Sequence, residues 1–127
     1  MSKVEIKNIY PLSPMQESML FHSLREKNST AYFEQMTIRV KGKIDIEKFG
    51  QSFQQLVDRY DVLRTIFRHQ KVQQPIQIVL KARKVGIHFE DIRDFKEKEH
   101  YLSDFLHQDR EAGFDLSKDV LMRLAVF

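Results

Sequence analysis

The sequence predicts an α/β fold, and three observations carry that prediction. Stretches with apolar residues at helical spacing recur three times, and short β-branched and aromatic runs stand between them. At residues 58–67 one such helix ends and a strand begins with almost no loop between them, so the other elements are expected to pack around that joint. The predicted order is an extended lead, helix, strand, helix, three strands, helix, strand.

Ser13-Pro14-Met15-Gln16 starts the first helix. Serine serves as N-cap, proline stands where its missing N–H removes no hydrogen bond, and glutamine completes a capping box. The helix is predicted to run to about residue 27, where Asn28-Ser29-Thr30 breaks it. Residues 32–41 alternate, with Met36, Ile38 and Val40 on one side and Gln35, Thr37, Arg39 and Lys41 on the other, the pattern of a half-buried strand. Gly42 closes it. Asp45 caps a second helix whose apolar stripe is Ile46, Phe49, Phe53, Leu56, Val57 and Tyr60. Strands follow over residues 63–68, 76–80 and 87–90, with an exposed turn at 70–74.

A third helix is predicted over residues 95–112, with Phe95, Leu102, Phe105, Leu106 and Ala112 on one face. His100, Asp104 and His107 imitate a metal or catalytic cluster, but helical geometry sets them opposite the apolar face, which makes them a solvated polar face. Residues 121–127 are apolar on both alternating sides except at Arg123, as in the interior of a sheet. A chain that stops on such a strand is expected to be a fragment of something larger, with an open edge that favours self-association.

Composition narrows the function. With 42% hydrophobic and 31% charged residues in 127, the chain is one globular domain or part of one. No apolar run approaches the roughly 20 residues of a bilayer span, and residues 1–7 lack the apolar core of a signal peptide. The absence of cysteine removes disulfides and thiolate metal sites. The expectation is a cytoplasmic protein without membrane partners. The formal charge is +3, but basic and acidic residues interleave, so no phosphate-tracking stripe is present and nucleic acid is not an expected partner. At the joint, Arg59 and Arg64 are two guanidiniums in apolar surroundings, each able to fork two hydrogen bonds to a carboxylate. Arginine is mostly exposed unless paired, so a solvated pair is the plain alternative.

Three stretches resemble one family. Tyr10-Pro11-Leu12-Ser13-Pro14-Met15-Gln16-Glu17-Ser18-Met19-Leu20-Phe21-His22 is similar to the first core motif of nonribosomal peptide synthetase condensation domains, with Ser18 where many members carry glycine. Arg59-Tyr60-Asp61-Val62-Leu63-Arg64-Thr65-Ile66-Phe67 resembles their second motif, with Tyr60 where histidine is frequent. Gly113-Phe114-Asp115-Leu116 and the following Leu121-Met122-Arg123 resemble the stretch that leads into the catalytic motif.

The resemblance implies a mixed-sheet two-layer sandwich: residues 10–127 as the truncated N-terminal lobe of a chloramphenicol acetyltransferase-like fold. Two such lobes enclose a tunnel, into which carrier proteins deliver phosphopantetheine-bound aminoacyl groups for amide bond formation. The family assigns catalysis to a His-His-x-x-x-Asp-Gly motif that this sequence does not contain. It follows that no catalytic residue is expected in this chain, that the fragment alone is expected to be inactive, and that phosphopantetheine arrives on a partner. The resemblance gives Arg59, and after it Arg64, the task of pairing with the aspartate of that motif and so supporting the catalytic loop. Residues 1–15 resemble an acceptor docking segment for an upstream synthetase subunit, with Val4, Ile6 and Ile9 as an apolar contact and Lys3 and Lys7 facing an acidic partner. The alternative is a docking or carrier-binding module without catalysis.

Overall fold

The computed structural model describes residues 5–26 and 30–127. Strand β1 (Ile6–Pro11) leads into helix α1 (Pro14–Arg25), followed by helix α2 (Ile46–Arg59) and a single 3-10 turn, Asp61–Arg64. Strands β2 (Thr65–Arg68), β3 (Ile76–Leu80) and β4 (Ile87–Phe89), helix α3 (Lys98–Ala112) and strand β5 (Leu124–Val126) complete the order. The α/β class is as expected. Its antiparallel and parallel pairings form two separate ladders among the described residues: an antiparallel sheet in the order β1-β3-β2 and a parallel pair β4-β5.

Central strand β3 holds the first sheet together. Ile78, Val79 and Leu80 are all buried, so both faces of the strand are covered. Helix α2 contributes Phe53 and Val57 to the same core, where Val57 and Leu80 are fully enclosed. The predicted stripe on α2 is covered only at its centre, because Phe49, Leu56 and Tyr60 remain exposed.

Helix α1 begins as its residues dictate. Gln16 N donates to Ser13 Oγ at 3.2 Å, and Ser13 N donates to Gln16 Oε1 at 2.8 Å. The same glutamine pairs with Gln77 of β3 through reciprocal amide hydrogen bonds of 3.3 and 3.0 Å, and Gln77 Nε2 donates to the Pro11 carbonyl at 3.0 Å. A residue expected only to cap its helix therefore also ties that helix to the sheet.

The second ladder packs under α3 through aromatic rings. His88 of β4 stacks on Phe105 at 5.2 Å, Phe105 meets Phe127 edge-on at 4.8 Å, and Tyr101 Oη donates to Glu90 Oε2 at 2.5 Å. α3 starts at Lys98, three residues later than predicted, and ends at Ala112 as predicted, capped by Gly113, whose φ of 57° suits a residue without a side chain.

Residues 32–41 depart from expectation. They pair with no strand among the described residues, and Met36, Ile38 and Val40 are 81%, 72% and 60% exposed. Alternation prescribes a two-faced strand but supplies no ladder partner, and none of the described strands takes that place. The segment is anchored at its start instead. Gln35 Nε2 donates to the Leu106 carbonyl at 3.2 Å and to Asp109 Oδ2 at 3.0 Å, and Phe33 lies 5.5 Å from Phe114.

Candidate functional site

The joint between α2 and β2 is the most heavily hydrogen-bonded place in the described structure that carries buried charge. Arg64 is only 4% exposed. Its Nη1 donates to the carbonyls of Val57 and Asp58 at 2.6 and 2.5 Å, and its Nε donates to the Leu80 carbonyl at 3.1 Å. The last carbonyls of a helix have no partner within it, so this guanidinium closes the C-terminal end of α2 and joins it to β3. Nη2 reaches Asp61 Oδ1 at 2.5 Å, a charge-assisted bond that compensates the buried cation. For Arg64 a solvated position is overturned: it is buried and engaged on every nitrogen.

These bonds also explain why β2 begins at Thr65 rather than at residue 63. Folding Arg64 back onto the helix end needs a tight turn, which the 3-10 residues supply. Thr65 Oγ1 donates to the Asp61 carbonyl at 2.8 Å and holds that turn closed.

Arg59 stands in contrast. It is the exposed last residue of α2, its guanidinium lies 5.6 Å from the Tyr60 ring, and among the described residues that guanidinium makes no hydrogen bond or ion pair. The two arginines of the second motif-like stretch are thus separated by role, one internal and one presented outward.

Of the predicted docking residues, Lys3 and Val4 lie outside the described residues. Ile6, Lys7 and Ile9 belong to β1, an edge strand in register with β3 through Ile6 opposite Leu80 and Ile9 opposite Ile78. Lys7 is not a free cation, because its Nζ holds both oxygens of Asp61 at 2.9 and 2.8 Å. That hydrogen bond, with the charges of Lys7 and Arg64, lowers the Asp61 carboxyl below its ordinary range against a smaller opposing effect of burial. Asp61 was the residue that sequence reasoning missed. Its spacing of three from Arg64 on a helical turn was the available signal.

A second arginine repeats the device. Arg123 Nη1 and Nη2 donate to the carbonyls of Gly113 and Asp109 at 2.5 Å each, Nε reaches Asp109 Oδ1 at 2.5 Å, and the guanidinium lies 4.3 Å from the Phe114 ring. The expected interior strand over residues 121–127 is shorter, Leu124–Val126, and pairs only with β4 among the described residues. Arg123 stands just before it and closes α3, which is why the apolar run is interrupted there.

The histidine decoy resolves as solvated pairs. His100 faces Asp104 at 3.4 Å and His107 faces Glu111 at 3.3 Å, each exposed and each on its own i+4 carboxylate. Among the described residues no group of three or more acidic or histidine side chains is placed to hold a metal ion. No described helix is long and apolar enough to cross a membrane.

The family model for the condensation domain matches residues 6–127. The chain is 52% identical over 128 residues to a linear gramicidin synthase of Brevibacillus parabrevis, covering 99% of this chain and 2% of that protein. It is 50% identical over 124 residues to a plipastatin synthase of Bacillus subtilis, covering 96% of this chain and 5% of that protein. The chain therefore spans only a small part of the relatives it matches. The crystal structure of a holo four-domain nonribosomal peptide synthetase bound to AMP and glycine superposes with a TM-score of 0.74 at 19% identity, over 98% of this chain and 9% of that one, a likeness of fold. With the two motif-like stretches set on α1 and on the α2–β2 joint, and a match that spans nearly every residue, the chain belongs to the condensation domain family.

Proposed function

We propose that this chain is the N-terminal part of a condensation domain that joins carrier-bound aminoacyl or peptidyl thioesters, and that it is inactive by itself. In that reaction the amine of the acceptor attacks the thioester carbonyl of the donor. The new C–N bond forms, the C–S bond breaks, the amine loses a proton and the donor's phosphopantetheine leaves as a thiol. Such chemistry depends on positioning and on a base or electrostatic aid at the amine. The residues that would supply the aid are those of the His-His-x-x-x-Asp-Gly motif, absent from this sequence.

The observation that carries the reading is the unequal use of the two arginines. Arg64 is engaged by its own fold, whereas Arg59 is ordered at a helix end with no acidic partner among the described residues. A guanidinium so placed suits a carboxylate from a later segment of an intact domain. Cognate partners in this reading are carrier proteins and an upstream synthetase subunit.

A second reading, a docking module, draws on exposed Ile6 and Ile9 along the edge of β1. Engagement of Lys7 by Asp61 leaves less charge for an acidic partner than the sequence implies. The test is amide formation by a protein that carries this chain together with the rest of a condensation domain, supplied with loaded donor and acceptor carriers. A dipeptidyl thioester from that protein and none from the 127-residue chain supports the reading. Product from the chain alone, or none from the longer protein, refutes it.

A further inference from the structure

Asp61 receives donors from two elements at once. Lys7 of β1 holds both carboxylate oxygens, at 2.9 and 2.8 Å, and Arg64 holds Oδ1 at 2.5 Å while its other nitrogens grip the Val57, Asp58 and Leu80 carbonyls. Its backbone is fixed as well, since its carbonyl accepts Thr65 Oγ1 at 2.8 Å. Arg59 lies between these anchors. The two residues before it are held by Arg64 through their carbonyls, and Asp61, two residues after it, is held at carboxylate and carbonyl.

We propose that Asp61 is the positioning residue of this joint, setting the direction in which Arg59 leaves the end of α2 by tying that end to β1 and β3. The proposal rests on the function proposed above and adds to it a residue that touches no substrate. Among the described residues Asp61 is the only carboxylate paired with Arg64. Without that charge, a guanidinium surrounded by neutral carbonyls is a buried cation with no counter-ion, and the helix end loses the reason to stay closed. Lys7 makes the arrangement directional, because it pulls the carboxylate toward the first sheet's edge while Arg64 pulls it toward the core. Exposure of Lys7 and Asp61 keeps this ion pair accessible to salt.

The experiment uses the condensation-competent protein that carries this chain, with Asp61→Asn, Asp61→Glu and Lys7→Met. Two readouts are taken: steady-state amide formation with loaded carriers, and hydrogen exchange of the Tyr60 and Leu63 amides, which donate to Leu56 and Tyr60 across the joint. Asp61→Asn is expected to lower kcat about tenfold and leave KM for either carrier within about twofold, since a misplaced group weakens the reaction more than binding. Exchange at Tyr60 and Leu63 is expected to quicken by about tenfold as the joint opens more often. Asp61→Glu restores both readouts because it keeps the charge, and Lys7→Met falls between. Unchanged kcat and exchange in Asp61→Asn, or an Asp61→Glu no better than Asp61→Asn, overturns the proposal. If Asp61→Asn does not fold, Lys7→Met decides, and its equality with the unsubstituted protein in both readouts is fatal. If the unsubstituted protein forms no amide, the proposed function fails, and exchange alone then judges Asp61: equal protection in all variants rejects it.

Discussion

Arg64 Nη1 donates to the Val57 carbonyl oxygen at 2.6 Å, so the side chain that follows the helix closes the helix. The carbonyl belongs to a fully enclosed residue of the core, and the guanidinium that reaches it is itself buried. Core packing and the second motif-like stretch are therefore one structural unit.

Replacing Arg64 by lysine tests that unit. An ammonium cannot fork to three carbonyls and a carboxylate together, so Arg64→Lys leaves buried acceptors unsatisfied. The expected loss of stability is about 3 kcal/mol, in the range seen when one member of a buried charged network is removed. Urea unfolding checks it, and a midpoint equal to that of the unsubstituted chain argues that the bonds contribute nothing.

Arg123→Lys is expected to act on α3 in the same way but less strongly, because Arg123 is partly exposed. Loss of the carbonyl contacts at Asp109 and Gly113 and of the ring contact with Phe114 should lower stability by about 2 kcal/mol. Hydrogen exchange in residues 33–35 should rise with it, since Phe33 lies 5.6 Å from the same guanidinium.

Asp115 gives a pH prediction. Hydrogen bonds from the Ser117 hydroxyl and amide, then from Lys118, hold its carboxyl below the ordinary 3.8, at about 2. A depressed carboxyl stabilises the fold above its unfolded value, and that contribution is lost as pH falls from 3.8 through about 2. Ser117→Ala should raise the Asp115 titration toward its ordinary value, as read from carboxyl carbon shifts.

Met36, Ile38 and Val40 present apolar side chains to solvent. Exposed apolar surface of this kind recruits other chains, so self-association of the 127-residue chain is expected. Ile38→Glu should reduce it in sedimentation velocity, while an equal distribution of species in both chains would place the contact elsewhere.

Much of this was legible in the residues. The cap at Ser13, the helix from Ile46, the strands at Ile76 and Ile87 and the solvated histidines follow from spacing and local chemistry. The failures lie where a long-range partner decides. Alternation over residues 32–41 specifies faces but not a ladder, and Gln35 turned out to anchor the segment on α3. At the joint, two arginines five apart in sequence look alike, and only the return of the chain onto the helix end separates a buried Arg64 from an outward Arg59. Lys7 reads as a free cation until β1 is paired with β3, which brings it beside Asp61 across 54 residues of chain.

In the proposed function Arg59 supports a carboxylate of the catalytic loop in the intact domain, and the decisive measurement is the melting temperature of Arg59→Ala in the condensation-competent protein. A drop of several degrees with loss of amide product is expected, since removing one partner of a desolvated ion pair costs about 3 to 5 kcal/mol. A normal melting temperature and folded yield, with only the chemistry slowed, would contradict it and give Arg59 a role at the reacting atoms instead.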